Sequence, residues 1–121
     1  MQNLVGIFRT DKDLKKALAE LEKLKARAAK ASVEGSRLFN PGWHLSCDLK
    51  AMLIVSESVT RSALARTESR GAHSRIDYAN VDPVWEKKHN IIVREAGGMK
   101  RRESPVEEMP GELKQILAED K

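Results

Sequence analysis

Apolar residues first recur along this chain at the spacing of a helix. Leu14, Leu18, Leu21, Leu24 and Ala28 fall three or four residues apart with charged residues between them, which predicts an amphipathic helix over about 11–32. Thr10-Asp11-Lys12-Asp13 suits its start, with a hydroxyl for the unpaired first-turn amides and carboxylates at the positive end of the helix. Asp11 and Lys15 can pair along it, as can Glu20 with Lys23 and Glu22 with Lys25. Ahead of it, Met1, Leu4, Val5 and Phe8 predict the last turns of another helix that has no capping residue before it, as in an excised domain. Gly6 weakens those turns and Arg9-Thr10 interrupts them.

"EGSRLFNPGW" (34–43) collects Gly, Ser, Asn and Pro and predicts a turn. A second long helix is then expected from Leu45 to about Thr67, with Leu45, Leu49, Met52, Leu53, Val59 and Ala63 as its main stripe. Ala51, Ile54, Val55, Ser58 and Ala65 add a second small or apolar side. Such a helix is either the centre of a bundle or packed against another domain. Gly71 offers it a left-handed C-terminal stop. From there the period becomes two: Ala72, Ser74, Ile76 and Tyr78 alternate with His73, Arg75 and Asp77, as in an extended segment with all its charge on one side. "NVDPVWEKKHN" predicts a polar link with a short helical turn at most. Ile91-Ile92-Val93, Gly97-Gly98 and Met99–Glu103 then predict a hairpin with little core. Pro110 opens a terminal helix, "GELKQILAED".

Composition sharpens this picture. The 121 residues suit one modest core, and aromatic residues are only 4%, so the core must rest on aliphatic side chains, which favours helices. A net charge of +4 could mark a nucleic-acid binder, but acidic and basic residues interleave, as on solvated helix faces, and no nucleic-acid partner is expected. A single cysteine, Cys47, excludes an internal disulfide and is expected to be a reduced, buried thiol of a cytosolic protein. No apolar run reaches the length of a membrane span, and no signal-peptide pattern opens the chain.

Motifs for chemistry are sparse. Gly97-Gly98 lies in the hairpin, and no glycine-rich phosphate loop is present, so nothing here is expected to cradle a dinucleotide. His44, His73 and His89 lack metal-ligand spacing and are expected to be surface or hydrogen-bonded structural histidines. Cys47 lies one helical turn from His44, but no orienting Asn or Asp accompanies the pair. Trp43 and Trp85 flank helix ends and are expected to cap the core. No catalytic, cofactor or metal residue is therefore assigned.

"RTESRGAHSRIDY" (66–78) is the exception, placing Arg70, His73, Arg75 and Asp77 within eight residues. Three uses fit these groups. Two guanidiniums, an imidazole and a carboxylate on one strand edge can dock on the carbonyls and acids of a facing domain. They can pair with each other. His73 and Asp77 could also serve as acid and base, though no pocket or nucleophile is implied beside them. Docking accounts best for the composition. On it, Arg70 and Arg75 should be largely solvated in this chain by itself.

"ALARTESRGAHSRIDY" resembles the C-terminal domain of succinate dehydrogenase and fumarate reductase flavoprotein subunits, whose hallmark is an "ESRGAH.R.D" run closing the last long helix. "VGIFRT", "WHLSCDLKAMLIVSESVTRSALAR" and "VWEKKH" agree in order, so the resemblance spans about residues 1–95. The related L-aspartate oxidases usually follow "SRG.H" differently, and Ser74-Arg75-Ile76-Asp77 favours the dehydrogenase side. The same domain of an L-aspartate oxidase, or a free helical adaptor for an acidic partner, is the alternative.

The resemblance implies a mainly α fold: a three-helix, spectrin-like bundle over 1–80, with a small β-hairpin and a short terminal helix over 81–121. It implies that FAD, the dicarboxylate-binding residues and the proton-donating arginine belong to domains preceding this one, so this chain by itself is expected to be inactive. The partners implied are the FAD-binding domain of the same chain, docked through Arg70, Gly71, His73, Arg75 and Asp77, and an iron–sulfur subunit. The implied location is cytoplasmic, peripheral to the cytoplasmic membrane through the parent complex, with no direct membrane insertion.

Overall fold

The two stretches of helical periodicity form the two long helices of the structure, a computed structural model that describes residues 1–119: α1 (Asp11–Ala28) and α2 (Pro41–Ala65). Thr10 caps α1 by accepting the Asp13 amide at 3.1 Å, and Asp11 pairs with Lys15 at 2.7 Å. The helix ends at Ala28, short of residue 32. The amides of Lys30 and Ala31 reach back only three residues, to the Arg27 and Ala28 carbonyls, and tighten the end.

The start of α2 lies four residues earlier than the apolar pattern indicates. Asn40 Oδ1 accepts the amides of Gly42 and Trp43 at 3.0 and 3.3 Å, and Pro41 fills the first helical position, where its missing N–H costs nothing. The run "NPGW" is thus a helix start as well as a turn.

The core is small and aliphatic. Val5, Leu14, Ala17 and Ala63 pack together, with Leu4 and Leu64 against them. The opening residues form a single turn in place of the expected helix end, closed by the Val5 amide on the Met1 carbonyl at 2.7 Å, and its Leu4 and Val5 pack on the core. On α2 the buried positions are Leu53, Glu57, Thr60 and Ala63. Glu57 is held between Lys25 of α1 and Arg61.

Much of the stripe expected to be buried faces outward instead: Leu45, Met52 and Val59 are exposed, as are Ile54 and Val55 on the second side. Cys47 is also exposed, against the expectation of a buried thiol. Two geometric reasons apply. α2 has 25 residues and α1 has 18, so at about 1.5 Å per residue α2 outruns its partner by about 10 Å, which leaves Leu45 on the overhang. Ile54, Val55 and Val59 flank the buried Leu53 and Glu57 but stand on sides of the helix that α1 does not cover. Trp85 is buried as expected, whereas Trp43 is half-buried under the Arg37 guanidinium.

Past α2 the chain doubles back. A two-residue parallel pair forms between β1 (Phe8–Arg9) and β2 (Ser74–Arg75), with Phe8 opposite Ser74 and Arg9 opposite Arg75. The short turn α3 (Pro83–Glu86) leads to an antiparallel hairpin, β3 (Lys88–Glu95) and β4 (Gly98–Pro105), with Gly98 in the left-handed region at φ +115°. Asn90 ties this hairpin to α2 by donating to the Ser62 carbonyl at 3.1 Å. The last element is α4 (Gly111–Glu119), whose first turn closes on the Pro110 carbonyl. Asp120 of the expected terminal helix lies outside the described residues. The mainly helical architecture with a hairpin and a short terminal helix is the one anticipated.

Candidate functional site

α2 stops at Ala65, not at Gly71. The next residue, Arg66, is extended at φ −81°, ψ 105°, and no glycine turns the chain there. The last carbonyls of the helix therefore need other donors. Arg75 supplies them: its Nη1 donates to the Ala63, Leu64 and Arg66 carbonyls at 3.0, 3.2 and 3.2 Å. The rest of the guanidinium makes a two-pronged pair with Asp77, Nε to Oδ1 at 2.7 Å and Nη2 to Oδ2 at 2.8 Å. The ring of Tyr78 lies 4.9 Å away.

Asp77 completes a second cap. Its Oδ2 also accepts the Asp11 amide, at the start of α1, at 2.8 Å. A cation thus sits at the negative end of α2 and an anion at the positive end of α1, and the two are bonded to each other. The Arg75 pairing, against the opposing effect of burial, holds the Asp77 carboxyl well below the usual carboxylate range.

A second ionic group lies beside the first. Glu68 is fully buried, and burial disfavours its charge. Arg70, the Asp82 amide and Arg66 outweigh burial and hold its pKa at about 2. Arg66 Nε donates to Oε1 at 2.7 Å, Arg70 donates to both oxygens at 3.1 and 3.2 Å, and the Asp82 amide donates to Oε2 at 2.9 Å. Arg70 also reaches Glu86 at 3.1 Å. Ser69 binds the segment to itself, its hydroxyl accepting the Arg75 amide at 2.7 Å and donating to the Tyr78 carbonyl at 2.9 Å.

The His73 ring bridges Arg9 of β1 and the chain just past the end of α2. Its Nε2 lies 3.1 Å from the Arg66 carbonyl, which can only accept, so Nε2 carries the proton. Nδ1 then accepts from Arg9 Nη1 at 2.6 Å, which makes the ring neutral. Burial, together with the charges of Arg9, Arg75 and Arg66, lowers its pKa accordingly. Gly71, at φ +56°, occupies the tight turn in which the Arg70 and His73 backbones exchange hydrogen bonds.

The description "Fumarate reductase flavoprotein C-term" belongs to a family whose model matches residues 1–119. This chain belongs to that family. It is 36% identical over 102 residues to a fumarate reductase flavoprotein subunit of Mycobacterium tuberculosis, which covers 84% of this chain and 18% of the relative. It is 38% identical over 91 residues to a succinate dehydrogenase flavoprotein subunit of Coxiella burnetii, covering 74% of this chain and 16% of that one. Among solved structures, Mycobacterium smegmatis Sdh1 in complex with UQ1 superposes with a TM-score of 0.87 at 39% identity, over 96% of this chain and 20% of the other. The FrdA subunit of E. coli quinol fumarate reductase superposes with a TM-score of 0.78 at 32% identity, over 91% and 20%. The chain spans a fifth or less of these relatives and is the C-terminal domain of a succinate dehydrogenase/fumarate reductase flavoprotein subunit.

Within this flavoprotein domain the five motif residues expected at the surface separate. Arg75 is 1% exposed, so the expectation of a solvated guanidinium is corrected for it: three helix carbonyls and a carboxylate already occupy the group. Arg70 keeps about a third of its side chain exposed, Gly71 is open, and His73 is half-buried. The alternation over 72–78 breaks at Arg75 and Ile76, with charged Arg75 inside and Ile76 66% exposed, while Asp77 stays exposed. Three groups escaped the sequence reading. Glu68 stood in the motif but had no visible partner, Arg66 reads as a helix residue, and Arg9 lies 64 positions from the histidine it binds. No local signal marks Arg9.

Proposed function

We propose that this domain packs on the FAD-binding domain of its flavoprotein through the exposed apolar side of α2 and the neighbouring motif. The parent enzyme interconverts succinate and fumarate through FAD and passes electrons to an iron–sulfur subunit. It works on the cytoplasmic side, peripheral to the membrane. Residues 1–80 are the helical bundle that docks, and 81–121 are its C-terminal extension. Arg70, Gly71 and the open edge of His73 touch the facing domain, while Arg75 and Asp77 hold the segment in shape.

One observation carries this reading: Leu45, Met52, Ile54 and Val55, large apolar side chains of α2, all stand exposed to water, and clustered exposed apolar side chains mark interaction sites. The relatives' names supply the chemistry. None of the described helices is long and apolar enough to cross a membrane, in keeping with a peripheral position.

The test is a double substitution, Ile54→Glu with Val55→Glu, in the flavoprotein that carries this domain. Packing predicts faster proteolysis between the domains and loss of succinate-dependent dye reduction, with the domain's own helicity unchanged. Unchanged proteolysis and activity would contradict it. The 121-residue chain by itself, mixed with FAD, should elute from gel filtration without flavin.

A further inference from the structure

Charge around the end of α2 does not balance, and the excess lies on one residue. Arg66 and Arg70 share Glu68, Arg70 also meets Glu86, and Arg75 holds Asp77. Arg9 enters no ion pair among the described residues. Its Nε donates to the Gly6 carbonyl at 2.6 Å and its Nη1 to neutral His73, so both of its partners are uncharged. Burial and the nearby Arg75 charge both weigh against its protonated form.

The guanidinium borders a shallow groove whose other walls include Ser58, Ser62, Arg66, His73 and Asn90. Ser58 and Ser62 are small and lie one turn apart on α2, which leaves room for an incoming side chain. Through Val59 the groove runs on to the exposed apolar side of the same helix.

We propose that this groove seats one carboxylate side chain, an aspartate or glutamate of the flavin-binding part of the flavoprotein, against the unoccupied edge of Arg9. The proposal rests on the docking assigned above and specifies its polar anchor. A half-buried cation with only neutral partners gains most from a carboxylate, whose oxygens match the planar fork. The groove is too open to enclose a free anion. A carboxylate delivered on a docking surface needs no such enclosure, because its translational freedom is lost in the larger contact.

Arg9→Lys in the full flavoprotein puts an amine at this position, and a carbodiimide joins an amine to a carboxylate only where the two touch. Mass spectrometry should find an amide between position 9 and an acidic residue of the flavin-binding part. Arg9→Gln should release that part about tenfold more readily under limited proteolysis, as expected for a lost charged hydrogen bond. The remaining contact should also become less sensitive to salt. Amides confined to this domain, or none, would overturn the carboxylate seat if Ile54→Glu with Val55→Glu still loosens the domains. If that double substitution has no effect either, the docking itself is wrong and the seat falls with it.

Discussion

The two halves of α2 are built to different rules. From Leu53 to Ala65 the helix has a buried line of Leu53, Glu57, Thr60 and Ala63, an ion-paired glutamate, and an arginine across its final carbonyls. From Pro41 to Met52 none of its residues is buried, and Leu45 stands 66% exposed. The loop before it presents Phe39 almost wholly to solvent, at a φ of 52° that a phenylalanine rarely adopts. Apolar composition is similar in both halves. Partnership separates them: α1 and the 66–78 segment bury one line of the second half, whereas in the first half Trp43 is only half-buried under Arg37 and Leu49 stays exposed beside the end of α1. Apolar residues in a helix therefore report that some surface will be covered, not that this chain covers it.

The sharpest way to break this contrast is at Arg75. Arg75→Ala removes a buried guanidinium from three helix carbonyls and from its pair with Asp77, and the chain should lose about 3–5 kcal/mol, read by urea unfolding. Arg75→Lys should recover little, since an ammonium cannot span carbonyls and carboxylate together. A loss under 1 kcal/mol for the alanine variant would mean that the second half of α2 is not held by this cap. Next in size is Leu53→Ala, which empties a core position and should cost about 2–5 kcal/mol in the same assay.

Acid should act through Glu68 and Asp77. Both have pKa values lowered by folding, so their stabilisation is complete above their ordinary pKa values of 4.5 and 3.8 and fades as pH falls below them, for Glu68 toward about 2. The depressed pKa of His73 acts earlier, because the unfolded chain takes up that proton more readily as pH drops below about 6.5. Thermal melts should therefore slip slightly from pH 7 to 5 and fall steeply from 5 to 3. Glu68→Gln should cost on the order of 1.5–3 kcal/mol at pH 7 and flatten the steep part of that profile. A variant profile as steep as that of the wild type would assign acid sensitivity elsewhere.

The smallest effect is expected one residue before Leu53. Met52→Ser removes an exposed side chain and should move the stability of this chain by no more than about 0.5 kcal/mol. In the flavoprotein the same change should weaken the domain contact. A large loss in the chain by itself would show that the first half of α2 is covered after all.

The residues themselves determined the two helices, because Leu spacing along α1, Thr10, and the alternating acids and bases are local signals that act within a turn or two. The "ESRGAH.R.D" run likewise marked the family, and the Gly98 turn marked the hairpin. For α2 and the 66–78 segment, the tertiary structure alone decided which side faces inward. Alternation over 72–78 suggested that Ile76 and Tyr78 would be covered and the charges exposed. The unpaired carbonyls of α2 instead drew Arg75 inside, while Asp77, bonded to it and to the first amide of α1, stays exposed. Backbone groups left over at helix ends carry no mark in the amino-acid sequence, and their claim on an ion pair exists only once the two ends stand side by side. Arg9 shows the same dependence, since its histidine lies 64 residues away and only the β1–β2 pairing brings them within 2.6 Å.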